Sequence, residues 1–291
     1  MITALRNLPD PMKKKLKNIA KSLRIYRWMR SLNRRSFAMS YYKKQIAMIK
    51  KWAWKDTEDD NFYYKLSSLN NDQLAQTVST ITGISYSIIL QYFDELERDD
   101  ELRQHIKIGI ATARYGKDIK VDFGRRLGWY AFIRSMKPKV EIETGVDHGV
   151  GSCVITSALI RNANEGFPGY YYGLEINPEA GKLLSGKYKV FGEILYGDSV
   201  TSLRKCDKEI DIFINDSDHR ADYEYLEYQE VSNKLSKNAV ILADNAHVTD
   251  KLSQFSRETN RKFLFFSEKP ANHWYPGAGI GISFKEFIFN K

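Results

Sequence analysis

Acidic residues are almost missing from the first 55 positions of this 291-residue chain, where sixteen Lys or Arg stand against one acid, Asp10. That segment therefore carries +15 and the remainder −6, so the net charge of +9 is an N-terminal property. Cysteine is equally scarce. Cys153 and Cys206 are the whole set and match no metal-ligand spacing, which excludes a disulfide framework and a cysteine-built zinc site. No run approaches the ~20 apolar residues of a membrane span, and the N-terminus lacks the apolar core of a secretion signal. A cytoplasmic protein is expected on these grounds. Internal repeats and low-complexity tracts are also missing. With 43% hydrophobic residues, the chain can still bury a full α/β core and carry an appended element.

What is present begins with Val140-Glu-Ile-Glu-Thr-Gly-Val-Asp-His-Gly-Val-Gly-Ser152, which reads as a strand, a glycine-punctuated turn and a helix start. Glycines at 145, 149 and 151 can take positive φ and leave room where a side chain would meet a ligand. Glu143 would repel a dinucleotide pyrophosphate and attract a cationic amino acid end. The spacing G-x-x-x-G-x-G also differs from the G-x-G-x-x-G of dinucleotide sites. The turn thus points to S-adenosylmethionine, with Glu143, Gly145, Gly149 and Ser152 as its contacts and His148 shaping the pocket.

A rhythm of strands follows. Tyr170 to Ile176 is a short apolar run ending in an acid, and Glu175 at its carboxyl end can accept ribose hydroxyls. Phe191 to Ser199 ends in Gly-Asp-Ser, which offers Asp198 to the adenine amino group and Ser199 beside it. Ile210 to Asn215 runs into Asp216-Ser-Asp-His219, and Ala239 to Ala243 runs into Asp244-Asn-Ala-His247. All five polar endings fall at carboxyl ends of strands, where open α/β sheets bind ligands. Lys262 to Phe266 and Gly279 to Phe284 are joined too closely for a crossover and predict an antiparallel hairpin.

On these residues, positions 121 to 291 resemble a class I S-adenosylmethionine-dependent methyltransferase, and in particular the metal-assisted O-methyltransferases of the catechol and macrocin-like types. The resemblance implies a Rossmann-like seven-stranded sheet with an antiparallel last strand, preceded here by a helical extension. It divides the chain into residues 1–120, a basic helical arm and cap, and residues 121–291, the cofactor-binding domain. It also implies a magnesium ion held by Asp216, Asp244 and Asn245, with His219 as the base; Asp218 is a rival first ligand, and His247 and His273 are further candidates, as bases or substrate contacts. Magnesium takes carboxylate, amide and water oxygens and would acidify a bound hydroxyl. The acceptor is expected to be a small polar molecule or a sugar-containing glycoconjugate.

Plainer readings stand beside these. Asp216 and Asp244 also suit helix caps or turns, Glu175 suits an exposed strand end, and Trp274 and Tyr275 suit hairpin packing as well as substrate stacking. In the arm, Leu16, Ile19, Ala20 and Leu23 share one helical face ringed by lysines. That face fits either anionic lipid at the inner membrane surface or packing on the catalytic domain or a second subunit, which leaves a homodimer open. A nucleic-acid methyltransferase would use the basic arm. The expected Asn-Pro-Pro-Tyr-like loop and Pro-Cys nucleophile are missing, however, and the acidic loop at 216–218 would repel phosphate. A lipid-binding module without activity would leave the five acidic strand ends unexplained.

Overall fold

A computed structural model describes residues 9–22, 24–55, 58, 62–113, 120–244 and 246–285. By contact density the chain forms two units, Met1–Trp54 and Lys55–Lys291. The first consists of helices α1 (Asp10–Ser22) and α2 (Arg24–Trp52). Leu16 and Ile19 of α1 are exposed, as are Trp28, Phe37, Tyr41 and Tyr42 of α2. Phe37 and Tyr41, one turn apart, meet edge to face with ring centroids 5.4 Å apart. Leu23 and the side chain of Ala20, the other members of the expected face, lie outside the described residues. No described helix is long and apolar enough to cross a membrane.

The second unit begins with three helices, α3 (Ser68–Thr82), α4 (Tyr86–Glu97) and α5 (Asp100–Ala113), followed by α6 (Arg126–Met136). Ser67 caps α3 by accepting from the Asn70 N–H at 3.3 Å, and Gly83 ends it in the left-handed conformation. These helices bury Leu74, Val78, Ile81, Ile89, Phe93 and Leu96 in one core with Leu127, Tyr130 and Ile133 of α6. The sequence division at residue 120 separates cap from sheet domain. By contact, the cap helices cluster with the sheet, because their apolar faces close on α6 instead of forming a core of their own.

Seven strands follow in the order β3-β2-β1-β4-β5-β7-β6. They are β1 (Val140–Thr144), β2 (Tyr170–Glu175), β3 (Gly192–Tyr196), β4 (Ile210–Asn215), β5 (Leu235–Ala243), β6 (Lys262–Ser267) and β7 (Gly279–Phe284). β1 to β5 are parallel, and β7 lies antiparallel between β5 and β6. The expected hairpin is therefore present. β4 shows why the sheet is covered on both faces: Ile212 and Ile214 enter the core shared with α6 and α7 (Val150–Asn164). Phe213 points the other way, into a cluster with Tyr228, Val231, Leu252 and Phe255. Those residues belong to α9 (Ala221–Val231) and α10 (Lys251–Glu258), which with α8 (Ser199–Lys205) cover the second face. A strand apolar on both sides is the signature of a doubly covered parallel sheet.

Strand order reverses between β1 and β4, since β2 and β3 lie on one side of β1 and β4 and β5 on the other. Ligands in open α/β sheets bind at such a switch point, beyond the carboxyl ends of the strands. Four of the five parallel strands extend their ladder by one further bond. Gly145 N–H donates to Leu174 O at 2.9 Å, Gly197 N–H to Glu175 O at 2.8 Å, Asp216 N–H to Thr144 O at 2.9 Å and Asp244 N–H to Asn215 O at 3.0 Å. The polar residues that end the strands are thereby held along one rim.

Candidate active site

At the switch point lies a cleft of about 640 Å³, lined by Gly145, Glu175, Asp198, Ser199, Asp216 and Tyr223 among others. Gly145 has φ +81, and a Cβ on it would fall 2.1 Å from the carbonyl oxygen of Asp216. The turn after β1 can therefore abut the turn after β4 only if residue 145 has no side chain. Gly149, at φ +95, starts α7. Gly151 answers a different need, because a Cβ there would lie 2.5 Å from a Glu143 carboxylate oxygen.

Glu143 is buried beneath this turn instead of forming the cleft wall. Its carboxylate accepts from the Tyr171 hydroxyl and from Ser152 Oγ at 3.4 Å. Burial pushes the carboxyl up to about 7, against the pull of Tyr171, Arg126 and Ser152. Ser152 is buried as well, with its hydroxyl shared between Glu143 and Tyr171 at 2.7 Å, so it supports Glu143 and does not face the cleft.

Glu175 lies in the cleft and organises the turn. One oxygen accepts from the N–H groups of Val146 at 2.9 Å and Asp147 at 3.0 Å, and the other from Asn177 N–H at 2.8 Å. A carboxylate offers about four lone-pair positions, so backbone fills three and leaves one for a ligand. Asp198 caps α8, accepting from Thr201 N–H at 2.7 Å, and takes the Tyr223 hydroxyl at 2.6 Å. Hydrogen bonds from Thr201 and Tyr223 hold its carboxyl below the usual range. Here the plain capping role and a place in the cleft wall coincide.

Beneath the rim, Glu227 of α9 was not legible as a site residue. It accepts from Ser199 Oγ and Asn215 Nδ2, from Ser217 Oγ at 2.7 Å and from Thr144 Oγ1 at 3.2 Å. One buried carboxyl thus ties together the ends of β1 and β4 and the loop after β3. Tyr171 and Tyr223 were missed for a related reason: tyrosines in a strand or helix pattern read as packing, and only the fold brings their hydroxyls to acids.

The acids after β4 and β5 have different neighbours. Asp216 lines the cleft and is held well above the usual carboxylate range, first by burial and then by Asp244, with Arg125 opposing. Asp244 pairs with the Arg125 guanidinium through Nη2, and Arg125 Nη1 lies 3.4 Å from Glu268. Tyr64 donates to both Glu268 oxygens at 3.0 Å. The segment 64–67 is fixed there by backbone: Ser67 N–H donates to Lys269 O at 3.0 Å, and Ala271 N–H to Lys65 O at 2.7 Å. Phe62, Tyr64, His273, Trp274 and Tyr275 form an aromatic group beside this pair, with Tyr64 and Tyr275 centroids 5.7 Å apart. Trp274 and Tyr275 are half-buried, so packing and an exposed edge are combined.

His219 is exposed, and the cleft wall passes from Asp218 to Arg220 without it. Asp218 turns back to accept from Arg220 Nε at 3.0 Å and its N–H at 2.9 Å. His247 is exposed, with Nδ1 3.1 Å from Asp244 O, while His273 Nδ1 accepts from Tyr275 N–H at 3.0 Å. Magnesium needs about six oxygens in a near-octahedron, commonly one or two carboxylates with waters. The acids at 216 and 244 are near enough to feel one another's charge, but Asp244 is engaged by a guanidinium. Among the described residues no group of three His, Cys, Asp or Glu is placed to hold a metal, and Asn245 lies outside those residues. Asp216 and Asp244 as placed, the second held by a guanidinium, do not fit the ion.

Residues 142–246 match the family described as a methyltransferase domain. No curated protein sequence matches the chain. Among solved structures, a methyltransferase from Geobacter sulfurreducens is 18% identical, covering 62% of this chain and 90% of its own, with a TM-score of 0.47. The O-methyltransferase TomG from Streptomyces achromogenes, solved with S-adenosylmethionine, is 14% identical over 65% and 91% of the two chains, TM-score 0.47. An O-methyltransferase from Bacillus cereus, solved with S-adenosylhomocysteine, is 13% identical over 65% and 92%, TM-score 0.44. The assignment rests on the strand order and the family match. Together they show a methyltransferase domain over residues 142–246, set in a seven-stranded sheet of the class I methyltransferase fold.

Proposed function

We propose that the enzyme transfers the methyl group of S-adenosylmethionine to a hydroxyl of a small polar or sugar-containing acceptor. The observation that carries this reading is the cleft at the strand ends, which Glu175, Asp198 and Asp216 line together. In it, Glu175 would take one ribose hydroxyl with its remaining lone pair, Asp198 would face the adenine, and buried Glu143 would attract the cationic amino acid end. The acceptor would enter from the side of Asp216, against Tyr64 and Tyr275. Methyl transfer needs an oxygen aligned with the methyl–sulfur bond, and positioning supplies much of the acceleration. Asp216 is better placed than His219 to take the hydroxyl proton, since it lines the cleft and burial makes it more basic than an ordinary carboxylate. The test is calorimetry with S-adenosylhomocysteine, followed by a screen of hydroxylated acceptors for a gain of one methyl mass. Methyl transfer to a nitrogen-only acceptor, with hydroxyl compounds inert, would defeat the hydroxyl assignment.

The arm invites a separate reading, favoured by exposed Trp28, Phe37, Tyr41 and Tyr42 among its lysines and arginines. We read it as seating on anionic lipid, where each basic residue near the surface contributes about 1 kcal/mol. Sedimentation of the full chain with anionic but not neutral vesicles is the expected result. Equal sedimentation with both would remove the lipid role.

A further inference from the structure

The arrangement around Arg125 goes beyond cofactor binding. Its side chain is 16% exposed and that of Asp244 11%, so their ion pair is mostly removed from water. Glu268, whose side chain is fully buried, holds the other side of the guanidinium and also accepts from Ala278 N–H at 2.7 Å. Arg125 Nη1 donates to Tyr64 Oη at 3.4 Å while Tyr64 donates to Glu268, closing a ring of three groups. The backbone is committed to this placement. Gly124 has φ +51, and a Cβ there would lie 2.7 Å from the Tyr64 ring. Burial alone would make Arg125 easier to deprotonate, yet Asp244, Tyr64 and Glu268 outweigh it, so the positive charge is permanent. Asp216 lies within the same field.

A divalent cation between the ends of β4 and β5 would have to share Asp244 with this guanidinium and accept its repulsion at short range. Arginine offers a fixed positive charge and several N–H donors but no vacant coordination position. We propose that Arg125 is the resident cation of the acceptor side, occupying the role that magnesium plays in the metal-assisted enzymes this chain resembles, so that methyl transfer here proceeds without a divalent ion. The proposal rests on the hydroxyl-acceptor reading for what the charge does, namely favouring an oxygen that becomes negative as its proton leaves. Its physical content, one cation in place of another, does not depend on the acceptor.

Manganese, a paramagnetic stand-in for magnesium, tests it on the full chain saturated with S-adenosylhomocysteine, followed by electron paramagnetic resonance. The wild-type chain is expected to bind no manganese more tightly than about 1 mM, the weak end of carboxylate sites. Arg125→Met releases Asp244 and is expected to bind one ion at least tenfold more tightly, and adding Asp244→Asn to it should abolish that binding. Arg125→Met strands two buried acids and its melting is checked first. Arg125→Lys keeps the charge and should remain silent, so the wild-type and lysine chains decide the matter if the methionine variant does not fold. Tight stoichiometric manganese on either of those two overturns the proposal, as does silence of a folded Arg125→Met. Failure to bind S-adenosylhomocysteine would instead count against the methyltransferase site, which keeps the two outcomes apart.

Discussion

The cleft wall and the ion-pair cluster next to Asp216 are built differently. On the side proposed for the cofactor, Gly145, Glu175 and Asp198 come from three successive strand ends and are held mainly by backbone and capping hydrogen bonds. On the side proposed for the acceptor, next to Asp216, Tyr64, Arg125, Asp244, Glu268 and Tyr275 come from four separate segments of the chain and are held by charge and ring packing. The first side repeats one local rule along the sheet, and the second depends on long-range closure of the cap onto the β6–β7 loop. A common donor and a particular acceptor suit that division.

The largest expected effect breaks the cofactor side at its turn. Gly145→Val places a side chain at a positive φ and against the Asp216 carbonyl, so a loss of about 3 kcal/mol or more in stability and undetectable S-adenosylhomocysteine binding are expected. Urea unfolding and calorimetry measure both. Near-wild-type values would mean that the two turns do not abut.

Next comes the charge beneath the turn. Glu143 is pushed up to about 7 by burial, so it is largely protonated at pH 6 and ionised at pH 8. If the cationic donor selects the ionised form, affinity rises as pH rises through 7, by about tenfold between pH 6 and pH 8. Glu143→Gln should bind more weakly and lose this dependence. A pH-independent wild-type affinity for S-adenosylmethionine would remove Glu143 from donor recognition.

The smallest effect belongs to the acceptor side. Tyr275→Ala removes one ring from the group with Phe62 and Tyr64, and such aromatic contacts are worth about 0.5–1.5 kcal/mol. The acceptor KM should rise about 2- to 10-fold with donor affinity unchanged, read by steady-state kinetics at saturating donor. A change confined to donor affinity would place the ring on the wrong side of the cleft.

The same division explains what the sequence makes legible. Strand, turn and acid recur at nearly regular intervals from Val140 to Asp244, and the short apolar runs locate five parallel strands and the final hairpin. Glu175, Asp198 and Asp216 could be named because each stands at or just past the carboxyl end of a strand. Glu143 and Ser152 were legible as members of the turn but not as buried, since the orientation of a strand's last side chains depends on which helix covers them. The guanidinium pairing of Asp244 was hidden for a simpler reason. Arg125 precedes it by 119 positions and Glu268 follows it by 24, and no local pattern records that the three converge. Glu227 looked like one more acid on a helix until the fold set it under four polar groups.

The central claim, that this cleft is a sulfonium-donor site, is tested most directly by titrating the wild-type chain and Glu175→Ala with S-adenosylhomocysteine in a calorimeter, with NADH in parallel. One-to-one binding by the wild type, weakened at least about tenfold in the variant by loss of a charged hydrogen-bond acceptor, and no heat with NADH are predicted. Binding of NADH without binding of S-adenosylhomocysteine would contradict it.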